Sequence, residues 1–392
     1  MCSMQASDLF ELLRDGRPRT RAELAESTGL ARSTVAARVD QLMALGLVAP
    51  SGGTSTGGRP PSLFSMNPHA RVVAGVDVGA THVSLVVADL AGTVLAEAGE
   101  SLEVAQGPEV VLAWVTRTVR DLLAAHDLRP GDLAAVGIGL PGPVEHSTGR
   151  PTNPPIMPGW DRYDVPARVQ QDLDVPVLID NDVNIMALGE RQVAFPTTSD
   201  LVFVKVATGI GAGIISGGEL QRGAQGTAGD LGHVRVARAD DVPCRCGNTG
   251  CLEAVAAGPA LADALRAAGV DARTSQDVVD LARAGDVTAH QVVRQAGRDL
   301  GDVLATLVNL INPSVLVIGG RLAGAGESLL AGIREVVYQR SLPLATEHLQ
   351  VVASVAGDHA AVRGAVALAV AHVLSPEQIE LGVRRLAEAR TS

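Results

Sequence analysis

Arg71–Gly92 reads RVVAGVDVGATHVSLVVADLAG: two Val-rich runs separated by Asp77-Val78-Gly79-Ala80-Thr81-His82 and closed by Gly92. β-Branched residues suit a pleated, half-buried surface, and glycine relieves the sterics of a sharp reversal. The stretch predicts a strand–turn–strand hairpin whose turn bends around something. Leu201–Ile215, LVFVKVATGIGAGII, repeats that logic in the other half of the chain. Two such hairpins, one per half, predict two similar α/β lobes facing each other across a cleft. Leu133–Val144, LAAVGIGLPGPV, adds a strand ending in Gly-Leu-Pro-Gly. Val175–Glu190, VPVLIDNDVNIMALGE, is a strand that delivers Asp180, Asn181, Asp182 and Asn184 to the start of a helix. Pro313–Glu327, PSVLVIGGRLAGAGE, is a buried strand feeding a Gly-Gly turn and a further helix.

A chain of 392 residues exceeds one ordinary core, so two or three domains are expected. Hydrophobic content of 46% and charged content of 19% exclude a disordered chain. The 43 glycines and the 2% aromatic content suit α/β lobes with glycine-rich βα turns. The longest near-continuous apolar run, Gly364–Leu374, is shorter than the ~18–20 residues that span a bilayer. The N-terminus, MCSMQASDLFELLRDG, shows neither the basic start nor the apolar run of a signal peptide. A cytoplasmic protein with no membrane partner is the expectation. The net charge of −11 argues against a general nucleic-acid binder. Residues 1–70, however, carry seven Arg against six Asp and Glu, so a near-neutral head precedes an acidic body.

Apolar periodicity in this head predicts three helices. The first covers about Ser7–Arg14, with Gly16 placed to end it. Thr20-Arg21-Ala22-Glu23 is a capping-box pattern opening a short second helix, and Thr28-Gly29 turns the chain into ARSTVAARVDQLMALG. Val35, Val39 and Leu42 face inward there, leaving Arg32, Ser33, Thr34 and Arg38 on other faces. Helix, Gly turn, helix is the helix-turn-helix arrangement, whose second helix enters the major groove by its N-terminal half. Leu47-Val48 and Leu63-Phe64 read as two wing strands. The loop SGGTSTGGRPP between them offers Arg59 to the minor groove. Residues 1–68 are therefore expected to be a winged helix-turn-helix that binds DNA through Arg32, Ser33, Thr34, Arg38 and Arg59; a protein-interaction module is the plainer alternative.

Cys244-Arg-Cys246-Gly-Asn-Thr-Gly-Cys251 holds three of the four cysteines, and His233 lies just upstream. Cys-x-Cys strains a disulfide, whereas three thiolates and an imidazole suit tetrahedral zinc. With four protein ligands no position stays open, so such a zinc would be structural. A reduced, metal-free cluster is the alternative.

Together DVGATH, GLPGPV, PVLIDNDVN, ATGIGAGI, AGDLGHV, CRCGNTGCLE and NLINPSVLVIGG, in that order from residue 72 to about 320, resemble the ROK family (repressors, open reading frames and sugar kinases). The winged helix in front resembles its repressor branch. The resemblance implies an actin-like, sugar-kinase fold (ribonuclease H-like): a first lobe over 72–188 with a C-terminal helix at about 376–390 packing back on it, and a second lobe over 189–375 carrying the metal site. It implies the same zinc ligands, His233, Cys244, Cys246 and Cys251. It also implies sugar contacts from Asn181, Asp182, Asp230, His233 and Glu253, with Asp182 matching the general base of the kinases. Asp182 is equally placed to cap the helix that follows, and Asp230 stands where the family usually has Glu.

The phosphate loops depart from the kinase pattern. Ala80 and His82 replace a Gly and a Lys in the first, and Ala207 and Ala212 replace glycines in the second. Asp77, Gly79, Thr81, Thr208, Gly209, Gly211, Gly319 and Gly320 remain as traces of a site for ATP and Mg2+. The expectation is a sugar-responsive repressor, a homodimer or homotetramer on an inverted-repeat operator. An ATP-dependent hexose or N-acetylhexosamine kinase is the alternative.

Overall fold

In the computed structural model, residues 4–51, 62–154 and 156–391 are described. The head contains α1 (Ala6–Leu13), β1 (Arg19–Thr20), α2 (Arg21–Thr28), α3 (Arg32–Ala44), β2 (Val48–Ser51) and β3 (Leu63–Met66). The capping box forms as written: the Glu23 N–H donates to Thr20 Oγ1 at 3.1 Å, and the Thr20 N–H donates to Glu23 Oε2 at 2.7 Å. Gly29 ends α2 at φ 70°, a conformation open to glycine. The wing is a three-stranded sheet in the order β1-β3-β2, because Arg19 and Thr20 pair with Phe64 and Leu63. Two residues give no periodic signal, which is why that strand is absent from the sequence reading. The wing loop with Arg59 lies outside the described residues.

The first lobe holds β4 (Val72–Val78), β5 (Val83–Asp89), β6 (Val94–Glu100), α4 (Pro108–Ala125), β7 (Leu133–Leu140), β8 (Val144–Glu145), β9 (Arg150–Pro151), α5 (Val165–Leu173) and β10 (Val177–Asn181). Then comes α6 (Asp182–Ala194). The second lobe holds β11 (Leu201–Val206), β12 (Ile210–Ser216), β13 (Glu219–Leu220), α7 (Glu253–Ala256), α8 (Gly258–Ala267), α9 (Ser275–Arg283), α10 (Val287–Ile311), β14 (Val315–Gly319), α11 (Glu327–Arg340), α12 (Pro343–Thr346) and β15 (Gln350–Ala353). The chain ends in α13 (Ala360–Val373) and α14 (Pro376–Thr391).

The two main sheets have one plan. Their orders are β10-β7-β4-β5-β6 and β13-β12-β11-β14-β15. In each, an antiparallel hairpin (β4–β5, β11–β12) is extended on its first strand by a parallel neighbour (β7, β14). The duplication expected from the two Gly-turn hairpins is thus present strand for strand.

Between the sheets lie α6, against β11 and β12, and α13, against β4 and β7. The helices touch backbone to backbone. A Cβ on Gly189 would sit 1.9 Å from the Ala360 carbonyl oxygen, and one on Gly364 only 1.6 Å from that of Ile185. Glycines expected in βα turns are therefore also spent inside elements, where close approach forbids any side chain.

Two expected boundaries move. The junction at 188/189 falls inside α6, and α13 packs on the first sheet, so the chain returns to the first lobe near residue 360. The reason is the run Gly364–Leu374: Ala365 and Ala369 are fully buried, which only a two-sided sandwich achieves. The C-terminal helix α14 lies mainly on the head, against α1 and α3, and also meets α13, with Ile379 in one apolar cluster with Val73 and Val86 of the first sheet. The Ser7 N–H donates to Glu380 Oε1 at 2.9 Å, and Gly382 lies against Leu45. A single apolar cluster runs from Leu9, Val39 and Leu42 of the head through Val73 and Val86 of the sheet to Val366, Leu374 and Ile379. Among the described residues, no single helix is long and apolar enough to cross a membrane.

Candidate functional site

β4 and β11 occupy equivalent places in their sheets, and each carries one charge at its penultimate position. Asp77 pairs with Ser84 and Gly139; Lys205 pairs with Gly211 and Gly319. Leu201 and Phe203 on β11 pack under α6 with Val183 and Ala187, and alternation puts Lys205 in the same row. Its ammonium meets Asp182 Oδ2 at 2.5 Å, at the first residue of α6. Burial opposes the charge on Lys205, but Asp182 and Asp77 outweigh it and hold the ammonium above the ordinary lysine range.

Asp77, 8% exposed, accepts from His82 Nε2 at 3.3 Å. That hydrogen bond raises the His82 pKa above its usual value, against the effect of burial. Its stabilisation is complete below the ordinary histidine pKa of ~6.5 and is lost as pH rises through the raised value. Asp77→Asn is therefore expected to cost more stability at pH 6 than at pH 9, and to lower the His82 pKa followed by NMR. Equal losses at both pH values would remove this pair from the account.

Asn181, not Asp182, caps α6: its Oδ1 accepts from the Val183 N–H at 2.9 Å while Nδ2 donates to the Gly142 carbonyl at 2.7 Å. That second bond ties the Gly-Leu-Pro-Gly turn to the helix start and leaves the Asp182 carboxylate facing Lys205. Asp180, unassigned from sequence, is the most enclosed carboxylate here. It accepts from the Asn181 N–H, from Asn184 Nδ2 and, from the second lobe, from Arg222 Nε, the last two at 2.7 Å. Two ion pairs, Asp180–Arg222 and Asp182–Lys205, thus link α6 and its strand to the second lobe.

Glu253 Oε2 accepts from the Ile210 N–H at 3.1 Å, at the turn Ala207-Thr208-Gly209-Ile210-Gly211. Gly232 and Gly209 both lie against that carboxylate, so Glu253, the second Gly turn and the segment Asp230–His233 form one unit. Asp230 itself is exposed, and among the described residues no side chain hydrogen-bonds to it. Thr81 and Thr208 are exposed at their turns. Gly320, at φ 78°, lies within 3.0 Å of the Val206 backbone by any Cβ it might carry, and Gly319 is stacked under Phe203.

His233, Cys244, Cys246 and Cys251 present ligand atoms all within 4.8 Å of one another. Cys246 and Cys251 Sγ are 3.7 Å apart, as are Cys244 Sγ and His233 Nδ1. A tetrahedron built on metal–sulfur bonds of ~2.3 Å has edges of roughly 3.8 Å, so the cluster fits one ion. The loop is closed by the Cys244 N–H donating to the Asn248 carbonyl, and by bridges Arg235↔Cys251 and Pro243↔Thr249. Its thiols differ: the Asn248 backbone draws Cys246 down to about 7, whereas burial pushes Cys251 up to about 12. A metal must displace the Cys251 proton to bind.

On the head, Arg32 and Ser33 are exposed at the start of α3, and Thr34 and Arg38 are half-buried. Arg38 Nη1 donates to Gln41 Oε1 at 3.0 Å. The four share the helix surface left by the buried Val35, Val39 and Leu42.

Residues 73–372 match the model of the ROK family. The chain belongs to the ROK family. Residues 9–49 match a winged helix-turn-helix DNA-binding model. The xylose repressor of Caldicellulosiruptor bescii is 30% identical over 382 residues, covering 94% of this chain and 95% of that one. The crystal structure of a ROK family transcriptional regulator, a homolog of the E. coli MLC protein, superposes with a TM-score of 0.84 at 25% identity, over 96% of this chain and 98% of that one. A ROK family glucokinase from Streptomyces griseus, solved with glucose and AMPPNP, is 30% identical with a TM-score of 0.65; it spans 76% of this chain and 99% of its own.

Sequence reasoning missed Lys205, although a signal was there. It is the sole lysine among 32 Lys and Arg residues, placed in an otherwise apolar strand. Asp180 and Arg222 gave no comparable signal, because their pairing depends on a loop folding across from the other lobe.

Proposed function

We propose that this ROK protein is a sugar-responsive transcriptional repressor. The observation that carries the reading is the apolar core joining the DNA-binding head to α13, which in turn packs on α6, the helix that begins at Asp182. A sugar accepted at Asn181, Asp182, Asp230, His233 and Glu253 would bias α6; α13 contacts α6 through bare glycine backbone, and α14 carries any shift to α1 and α3. A ligand preferring one arrangement then changes operator affinity, with typical couplings of ~1–3 kcal/mol. The likeness to a xylose repressor includes the head, whereas the glucokinase likeness stops short of it.

Under this reading the four-ligand cluster holds structural zinc and sets the Asp230–Glu253 unit against the second Gly turn. The repressor acts on DNA in the cytoplasm, as a homodimer or larger homo-oligomer on an inverted repeat, since a single winged head reads one half-site. Phosphoryl transfer fits the residues poorly. Lys205 and His82 already pair with Asp182 and Asp77, and Ala80, Ala207 and Ala212 put methyl groups where phosphate cradles need bare backbone.

The test is fluorescence-anisotropy titration of DNA from upstream of the gene, at fixed salt, with D-xylose or D-glucose added. Specific binding shifted by one sugar is expected; binding to no upstream DNA, or binding indifferent to both sugars, would count against a sugar-responsive repressor. In the same assay Arg32→Ala with Arg38→Ala is expected to weaken operator binding by roughly 100-fold, given ~1–3 kcal/mol per good base contact. An unchanged Kd would remove α3 as the reading helix.

A further inference from the structure

We propose that Lys205 is a ligand-contacting residue of the cleft, forming with Asp182 a donor–acceptor pair that reads hydroxyls of the bound sugar. This rests on the sugar-binding reading above and adds to it the residue that supplies hydrogen-bond donors.

Four observations converge. First, the proposed contact set is rich in acceptors: Asp182, Asp230 and Glu253 are carboxylates. A sugar hydroxyl both donates and accepts, and with Asn181 Nδ2 bonded to the Gly142 carbonyl and His233 Nδ1 facing Cys244, such a set has few donors for the sugar's lone pairs. Second, Lys205 is placed to answer them. An ammonium has three donors, and among the described residues Lys205 uses them on Asp182 alone. Its side chain is 28% exposed, so it is not sealed within the protein, and a ligand at Asp182 lies within its reach.

Third, the residue type is selective. Every other cationic side chain of the Lys and Arg kind in this chain is Arg. An Arg at 205 would grip Asp182 with its planar fork and spend the carboxylate's capacity on itself. A lysine holds one oxygen and leaves the other for a ligand. Fourth, the two lobes contribute opposite charges from equivalent strand positions, Asp77 from β4 and Lys205 from β11. The pair at Asp182 bridges the lobes, so a sugar bound there touches both and senses their separation.

The experiment measures the sugar concentration that half-shifts operator binding by the full-length protein, using whichever of D-xylose or D-glucose shifts the wild type. Lys205→Met is expected to raise that concentration about 10- to 100-fold, the value of a hydrogen bond to a charged group. Lys205→Arg is expected to lose nearly as much, which a role in charge balance alone would not produce.

A second measurement needs no variant. Reductive methylation of the wild-type protein with 13C-formaldehyde labels this one lysine and the α-amine, whose signal is told apart by its titration near pH ~8, and it keeps the lysine's charge while leaving a single N–H for Asp182. The lysine dimethyl resonance is expected to shift at saturating sugar, and the labelled protein to bind that sugar at least tenfold more weakly. Unchanged sugar response in Lys205→Met and in the methylated protein would overturn the assignment while leaving the repressor reading intact. A wild type that responds to neither sugar would overturn both.

Discussion

Gly364→Ala is expected to destabilise the protein by about 3 kcal/mol or more, at the upper end of overpacking costs. The added carbon would lie 1.6 Å from the Ile185 carbonyl oxygen, 2.5 Å from its carbon and 2.9 Å from the Gly189 nitrogen. All three are backbone atoms, so no side chain can swing away. Relief requires α13 to move off α6 by more than an ångström, and both helices are clamped by the sheets on their far sides. Such movement also disturbs the start of α6, where Asp182 meets Lys205, and the approach of α14 to the head. Sugar response should therefore weaken even at temperatures where the variant stays folded. Urea unfolding beside Gly131→Ala makes the comparison clean. Gly131 has nothing within 4 Å of its added carbon, so that variant should stay within ~0.5 kcal/mol of wild type. Matching midpoints for the two variants would mean that the helices are not in backbone contact.

Removal of the proposed zinc is expected to have the second large effect. Wild-type protein is expected to purify with about one zinc per chain by elemental analysis, and Cys251→Ala with none. In zinc-finger peptides a structural zinc contributes about 10 kcal/mol or more of folding free energy. The tip of the loop around Cys246 has little else to order it, since Arg245, Gly247 and Asn248 are exposed. Without metal, Cys251, pushed to about 12, keeps its proton at neutral pH, and a neutral thiol beside two others holds no loop in place. Amide exchange over that segment should accelerate strongly on chelation and recover on adding zinc. Glu253, two residues beyond the cluster, should then lose its fixed approach to Ile210, and sugar response should fall with it. Operator binding without sugar should persist, because the head shares no residue with the loop. Metal-free protein with unchanged exchange would remove the cluster from the site.

Several elements were legible because their signals are local. The capping box at Thr20–Glu23, the Gly29 turn and the inward row Val35, Val39 and Leu42 each depend on neighbours within one helical turn. The paired Gly-turn hairpins revealed the duplicated sheets, since strand periodicity and glycine placement survive in the linear pattern. The Cys/His cluster was legible for the same reason, three of its four residues lying within eight positions.

What the chain order by itself determined is therefore the class of fold, the presence of a winged helix-turn-helix head and the donor set of a cluster that could hold a metal ion. Tertiary structure alone decided which carboxylates are engaged and by what. Asp180 meets Arg222, and Asp182 meets Lys205, only because a loop and a strand of the second lobe close over the start of α6. It also decided that α14 lies on the head, because an amphipathic helix shows that it has an apolar face but not which surface will cover it. Hydrophobic burial is non-directional, and its partner is chosen by whichever surface the rest of the fold leaves open.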